Sequence, residues 1–282
     1  MAFAQLSRVR LEYFPHGDGP ERVVFIHGFQ ASARIWRMVQ QALPADRYAS
    51  IAINNRGAGQ SDAPPDEADF GVEPFAADAF ELVEQLGWRD FTLVGHSMGG
   101  ATAAQFAVDH PALLKGLILL DPADPDGRPL PPGISMEALL DARMAARREQ
   151  LARGGAGDGV DASGAGANAE LLQALAEDMR NAPERRLRGS MRSMLNVRLG
   201  ERVRALPMPV MLAGGDADAL IPLASMLATW AKLPAGSGLH LWHGIGHSPN
   251  LDCPDELAAL IRRFVEQTIP ARGAAAQPVA AG

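Results

Sequence analysis

One cysteine, Cys253, is all that the 282-residue chain contains, so no intrachain disulfide can form. That excludes a disulfide-stapled scaffold and favours a reducing compartment. Positive charge is also in short supply: 26 Lys and Arg stand against 33 Asp and Glu, a net of -7. Proteins that grip a phosphate backbone carry a basic face, so no nucleic-acid partner is expected. No apolar run reaches the roughly 20 residues of a membrane helix, and no membrane insertion is expected. The stretch from Met1 to Arg10 lacks a signal-peptide pattern, so the expected location is cytoplasmic. There is no H-E-x-x-H and no paired-cysteine zinc pattern. Arg56-Gly57-Ala58-Gly59 lacks the spacing and the trailing acid of a dinucleotide site. The expectation is therefore no metal and no organic cofactor.

What the chain does have is 47% hydrophobic residues, enough for a large buried core. Short apolar runs beside turn residues read as buried strands at Arg22 to His27, Tyr48 to Ile53, Phe91 to Val94 and Leu117 to Leu120. Arg8 to Phe14 alternates and reads as a further strand, followed by a turn from His16 to Pro20. Helical spacing appears over Ala33 to Leu43, Pro74 to Leu86 and Met98 to Asp109. Strands alternating with helices predict an α/β fold, a mostly parallel, doubly wound sheet covered on both faces.

The alternation then stops. From Pro122 to Leu206 no buried strand is visible, and Ser135 to Leu151, Glu170 to Met179 and Glu184 to Leu199 read as helices. It resumes with a strand at Val210 to Ala213, a helix near Leu223 to Lys232, a strand at Leu239 to Trp242 and a helix at Pro254 to Thr268. The expected organisation is a core of residues 1–121 and 206–269 interrupted by a helical cap at 122–205. Within the cap, the Gly- and Ala-rich stretch 154–169 is expected to be mobile, and 270–282 to be a disordered tail. Ligands of parallel sheets bind at the carboxyl ends of the strands, so an insertion leaving from that edge covers the site.

The strongest chemical signal is Gly95-His96-Ser97-Met98-Gly99-Gly100, between a strand and a helix. That is the setting of a nucleophile elbow. A sharp turn lifts the serine hydroxyl above the sheet edge, Gly95 and Gly99 allow close backbone approach, and the helix N-terminus favours developing negative charge. A serine hydroxyl needs a base at neutral pH, and the chain offers seven histidines. His247, in the loop Gly244-Ile245-Gly246-His247-Ser248-Pro249 just past the last strand, is the candidate, with His243 the runner-up. His27 and His96 read as structural.

The elbow, His27-Gly28-Phe29 after a buried strand, and Asn54-Asn55-Arg56-Gly57-Ala58-Gly59-Gln60-Ser61 together resemble the α/β-hydrolase superfamily. In the last segment Asn54 stands where the family usually has Asp. The likeness runs from about Arg8 to Pro122 and from Leu206 to Thr268, leaving out the insertion. It implies an oxyanion hole built from the main-chain N–H groups of Phe29 and Met98. Gly215-Asp216-Ala217-Asp218-Ala219-Leu220-Ile221-Pro222 resembles the family's acid loop. In that register Asp218 orients His247 and Asp216 is a turn residue, while Asp121, at the end of a strand, is the alternative acid. The order Ser97, Asp218, His247 matches that of the fold.

The resemblance implies hydrolysis of a carboxylic ester, or a lactone, of a small hydrophobic substrate through an acyl-enzyme. Three other activities remain open: carbon–carbon bond hydrolysis, cofactor-free perhydrolase or haloperoxidase chemistry, and slow-turnover small-molecule reception. Phe29-Gln30 and His96 depart from the pattern of the carbon–carbon hydrolases. Ser97 departs from the elbow aspartate of haloalkane dehalogenases and epoxide hydrolases. Met136, Met144, Met179, Met191 and Met194 in the insertion, with Met98, point to an adaptable apolar pocket. Arg147-Arg148 and Arg185-Arg186 read as solvated helix-surface charges, and Asp66, Glu67 and Asp69 as a solvated acidic loop. Nothing in the pattern sets the oligomeric state.

Overall fold

The computed structural model describes residues 1–153 and 169–268. The expected mobile stretch, apart from Ala169, and the expected tail lie outside the described residues. Eight strands form one sheet: β1 (Ala2–Gln5), β2 (Arg10–His16), β3 (Glu21–Ile26), β4 (Tyr48–Ile53), β5 (Phe91–His96), β6 (Leu114–Leu120), β7 (Val210–Gly215) and β8 (Gly238–Trp242). Their order across the sheet is β1-β2-β4-β3-β5-β6-β7-β8. Strand β2 runs antiparallel to both β1 and β4, and every other neighbouring pair is parallel.

The two-residue period of the strands decides which side chain enters which layer. Val24 and Ile26 of β3, with Leu117 and Leu119 of β6, face the layer holding α2 (Val72–Gln85) and α3 (Met98–Asp109). Val23, Phe25, Ile118 and Leu120 face the opposite layer, with Val39 of α1 (Arg37–Ala42) and Leu257 and Ile261 of α10 (Pro254–Arg263). These strands are buried on both faces, which is why they read as unbroken apolar runs.

Among the described residues four helices stand between β6 and β7: α4 (Met136–Ala152), α5 (Ala169–Asn181), α6 (Glu184–Asn196) and the short α7 (Glu201–Arg204). Helix α8 (Leu223–Trp230) follows β7, and α9 (Pro249–Asp252) precedes α10. The expected helix at Ala33 to Leu43 divides into a 3-10 turn at Ala33–Trp36 and α1. Helix α6 ends at Asn196, three residues before the expected Leu199. Strand β1, α7 and α9 carry too few residues to show a period in the sequence. Pro15 and His16 belong to β2 rather than to the following turn, paired with Ile51 and Ser50 of β4.

Two expectations about charge are corrected. Arg186 is buried, with Nη1 donating to the Gly57 carbonyl at 3.2 Å and Nη2 to the Ala31 carbonyl at 3.0 Å. The bond across from α6 thus ties the inserted helices to two core loops. In the acidic loop Asp66 is exposed, as expected, but Glu67 and Asp69 are paired rather than solvated. Glu67 accepts from Arg188 at 2.9 Å, and Asp69 meets Arg8 at 2.9 Å and Arg56 at 3.2 Å. Arg188 also bridges Glu137 and Asp141 of α4, so one guanidinium links α4, α6 and the core.

Candidate active site

Chain order reverses at β3, which lies between β4 on one side and β5 on the other. Such a switch point opens a crevice at the carboxyl ends of the two diverging strands. The loops leaving β3 and β5 carry Gly28-Phe29 and Ser97. Both come to this crevice, and they pack tightly: a Cβ on Gly28 would lie 2.9 Å from the Ser97 Cβ.

Ser97 has φ +56 and ψ −121 and sits immediately before α3. A side chain in that backbone region costs about 1–3 kcal/mol and persists only where the surroundings enforce it. The surroundings here are specific. Ser97 N–H donates to the Leu120 carbonyl at 2.9 Å, and the Ser97 carbonyl accepts from Gly100 at 2.8 Å and Ala123 at 2.9 Å. A Cβ on Gly95 would come within 2.1 Å of the Gly99 carbonyl oxygen, and one on Gly99 within 2.4 Å of the Ile26 carbonyl oxygen. Met98 is the first residue of α3, so its N–H has no carbonyl a turn earlier to bond. Its side chain is buried in the core and does not line the cavity.

His247 Nδ1 lies 2.6 Å from Asp218 Oδ2. Asp218 Oδ1 accepts the N–H groups of Leu220 at 2.7 Å and Ile221 at 2.9 Å. Burial alone would raise the Asp218 carboxyl. The hydrogen bond and charge of His247 and the two N–H groups outweigh it, and hold the group below the usual carboxylate range. With Nδ1 engaged, Nε2 is the ring nitrogen left for other chemistry.

The competitors separate on geometry. His243 is 99% exposed and pairs with Asp216 at 2.9 Å, so neither belongs to the crevice. Asp216 also accepts from the Gly244 N–H at 2.7 Å, the work of a turn residue. Asp121 is fully buried with φ +40, and its Oδ1 accepts from the Gly215 N–H at 3.1 Å. Burial, reinforced by the neighbouring Asp218 charge, pushes Asp121 up to about 9. It is a neutral acid at pH 7, and the histidine bond belongs to Asp218.

His27 and His96 are structural. His27 Nδ1 lies 2.8 Å from the Gly28 carbonyl and its Nε2 accepts from the Asn55 N–H at 3.2 Å. His96 Nε2 lies 2.7 Å from the His247 carbonyl. Burial, aided by nearby positive charge, lowers both to about 3, so both rings are neutral. Cys253 is half-buried, and burial pushes its thiol up to about 12, which leaves it inert.

Ser97, His96, His247, Gly28 and Phe29 line one cavity of about 280 Å³. The apolar part of its wall includes Ile35, Leu139, Met144, Met191, Met194 and Ile221. Of the six methionines singled out above, three reach it. Sequence reasoning missed three other wall residues, Arg128, Arg143 and Arg147. Arg147 is buried rather than solvated, while its neighbour Arg148 is exposed. A signal was there: Leu140, Met144 and Arg147 follow the 4- and 3-residue steps of one helical face, which puts Arg147 on the buried side.

No helix among the described residues is long and apolar enough to cross a membrane. A family model described as alpha/beta hydrolase fold matches residues 21–254. An uncharacterized protein of Mycobacterium tuberculosis is 29% identical over 271 residues, spanning 90% of this chain and 78% of that protein. A fluoroacetate dehalogenase of a Burkholderia species is 37% identical over 108 residues, 37% of this chain and 35% of that enzyme. Among solved structures, a thermophilic esterase from Thermogutta terrifontis superposes with a TM-score of 0.75 at 24% identity, covering 95% of this chain and 98% of that one. A match over residues 21–254, carried by the fold just described, establishes that the chain belongs to the alpha/beta hydrolase fold family.

Proposed function

We propose that the chain is a serine hydrolase that cleaves a small carboxylic ester or lactone through an acyl-enzyme, with α4 to α7 as a cap over the site. The observation that carries this reading is the pair His247–Asp218 at 2.6 Å, opening into the same cavity as the strained Ser97. Ser97 Oγ attacks the carbonyl carbon as its proton passes to His247 Nε2. Asp218 keeps the ring oriented and stabilises the imidazolium. The negative oxygen of the tetrahedral intermediate accepts from the N–H groups of Phe29 and Met98. Collapse expels the alcohol, which takes the proton from Nε2. Water, giving its proton to the same nitrogen, then attacks the acyl-serine, and the acid leaves. A cavity of about 280 Å³ suits a small acyl group, near the lower end of the range for small-molecule sites, about 300–1,000 Å³.

The dehalogenase relative invites a different reading, alkyl-enzyme chemistry. The serine at position 97 argues against it, because a seryl ether formed by displacing halide carries no carbonyl for water to attack.

The test is initial rates on p-nitrophenyl esters from acetyl to dodecanoyl, with several lactones, for wild type and Ser97→Ala. Turnover that favours short acyl chains and drops by several orders of magnitude in the variant is expected. Acylation that stops after one equivalent would instead favour a receptor-like protein. Absence of acylation in folded protein would remove the ester and lactone reading.

A further inference from the structure

Three guanidinium groups line the cavity, and among the described residues none of them has a carboxylate partner. Arg143 and Arg147 lie one turn apart on α4, and Arg128 lies in the segment after β6. In a chain of net charge -7, anions to pair with them are plentiful. Elsewhere in the inserted helices they are used: Arg148 meets Glu184, Arg188 meets Glu67, Glu137 and Asp141, and Arg192 meets Glu137 and Glu67. Among the described residues the one carboxylate in the cavity wall is Asp124, and Lys232 Nζ holds it at 2.7 and 2.9 Å.

Arg147 is the most constrained of the three, at 8% exposure. Its Nη2 donates to the carbonyls of Met179, Arg180 and Ala182 at 2.9, 3.1 and 3.2 Å. These bonds close the C-terminal end of α5 and fix the plane of the guanidinium. They use one nitrogen of three. Nε is buried without any partner, and among the described residues no acceptor is found for Nη1. These bonds account for the anchoring of this side chain, and all three go to main-chain carbonyls rather than to a carboxylate. Burial lowers Arg147 from its usual range, and the charge of Glu184, whose ion pair is with Arg148, offsets only part of that cost. Arg143, exposed four residues earlier, adds a second cation on the same helical face.

We infer that the substrate of this site is a small ester or lactone that already carries a carboxylate, bound by Arg143 and Arg147 while its reacting carbonyl meets Ser97. A planar carboxylate matches the fork of a guanidinium, and such charge-assisted bonds give direction as well as affinity. The apolar wall then packs the short chain between the two polar ends. The pocket expected from the sequence to be apolar is on this reading amphipathic. This inference deepens the ester-hydrolase reading and rests on it.

The experiment compares matched pairs. On the acyl side the pair is 4-nitrophenyl hydrogen glutarate and its neutral methyl ester. On the alcohol side it is 3-acetoxybenzoate and its methyl ester. Uncatalysed rates are subtracted. In at least one pair kcat/KM for the anion should exceed that for the neutral ester by about tenfold or more, the worth of one hydrogen bond to a charged group. Arg143→Gln should bring that ratio towards one. Arg148→Gln, at a paired arginine outside the cavity wall, should leave it unchanged. Because Arg147 also closes α5, it is tested as Arg147→Lys, which keeps the charge and loses the fork. The ratio should fall there too, while the thermal transition shows the protein folded. Glutarate binding, followed by calorimetry against neutral glutaramide, adds a readout without turnover. Turnover of the neutral esters as fast as the anions, with no preference for glutarate, overturns the inference and leaves the serine hydrolase standing. No ester turnover, but glutarate binding that Arg143→Gln weakens, keeps the anion site and overturns the ester reading. No turnover and no glutarate binding overturns both.

Discussion

The ring of His96 donates from Nε2 to the main-chain carbonyl of His247 across 2.7 Å, joining the residue before Ser97 to the residue that faces it from another loop. The bond needs a proton on Nε2, and because burial lowers His96 to about 3 and keeps the ring neutral, that is the one proton the ring nitrogens carry. Trp36 stands edge-on to the same ring, 6.3 Å away. His96 is thus a positioning residue. His96→Ala removes the bond and opens space beside the His247 loop. It should lower kcat about tenfold with little change in KM, and destabilise the fold by about 2–3 kcal/mol. Initial rates and urea unfolding check both. A variant with wild-type kcat would show that the loop holds itself.

The two buried carboxylates near His247 should behave oppositely when neutralised. Asp218→Asn takes away the acceptor that fixes the imidazole tautomer, and the expected loss of kcat is about 10³- to 10⁴-fold. Asp121 is already neutral at pH 7, so Asp121→Asn keeps its charge state and nearly its shape. Its kcat should stay within about tenfold of wild type, since no bond to the ring is lost. A reversal of this order would move the acid role to Asp121.

The same group sets the alkaline side of stability. Asp121 titrates near 3.9 when unfolded and about 9 when folded, so the folded state holds the extra proton between these values. Its contribution is complete below pH 3.9 and is lost as pH rises towards 9, at no more than about 1.4 kcal/mol per pH unit. His27 and His96 act in the other sense. Folded values of about 3 lie below the unfolded 6.5, so their burial is fully tolerated above pH 6.5 and increasingly opposed below it. Stability should peak near neutrality. Between pH 7 and 8.5 the wild-type unfolding free energy should decline, and Asp121→Asn should stay flat. Urea titrations at three pH values decide it, and parallel curves would exclude a raised Asp121.

The elements legible in the sequence were those whose pattern survives in one dimension. The runs Val23 to Ile26 and Leu117 to Leu120 are apolar because both faces of each strand are covered. The loops of Ser97 and His247 stand out by their glycines and their place after strands, Asp218 is named by the resemblance of its loop to the family's, and in the structure Asp218 and His247 are in contact. Arg147 and Arg186 were misread because a cation on a helix normally faces water. Their burial depends on carbonyls from segments up to 155 residues away, which no local window contains. The acidic loop failed for the same reason, since Arg188 and Arg192 reach Glu67 only after α6 has packed.

Asn54, which departs from the aspartate that the family resemblance implies, gains its explanation from a second carboxylate. Its Nδ2 donates to the buried Glu12 Oε2 at 2.6 Å and its Oδ1 accepts the Ala33 N–H at 2.6 Å. Glu12 is fully buried, and the same Oε2 accepts the Gln60 N–H at 2.8 Å. Gly59 permits this approach, because with φ +52 its missing Cβ would lie 2.1 Å from Asn54 Nδ2. An aspartate at position 54 would set one carboxylate against another without a cation between them. Asn54→Asp should therefore cost about 2–4 kcal/mol at pH 7, through a lost donor and a buried like-charge contact. A proton bound between the two carboxylates of the variant would relieve the repulsion. The folded state would then bind more protons than the unfolded, and the deficit should shrink as pH falls from 7 towards 5. Urea unfolding of both proteins across that range measures it. Should the Glu12→Gln, Asn54→Asp double variant recover most of the loss, the like-charge contact is its cause. If it recovers none, the like-charge contact is not the cause.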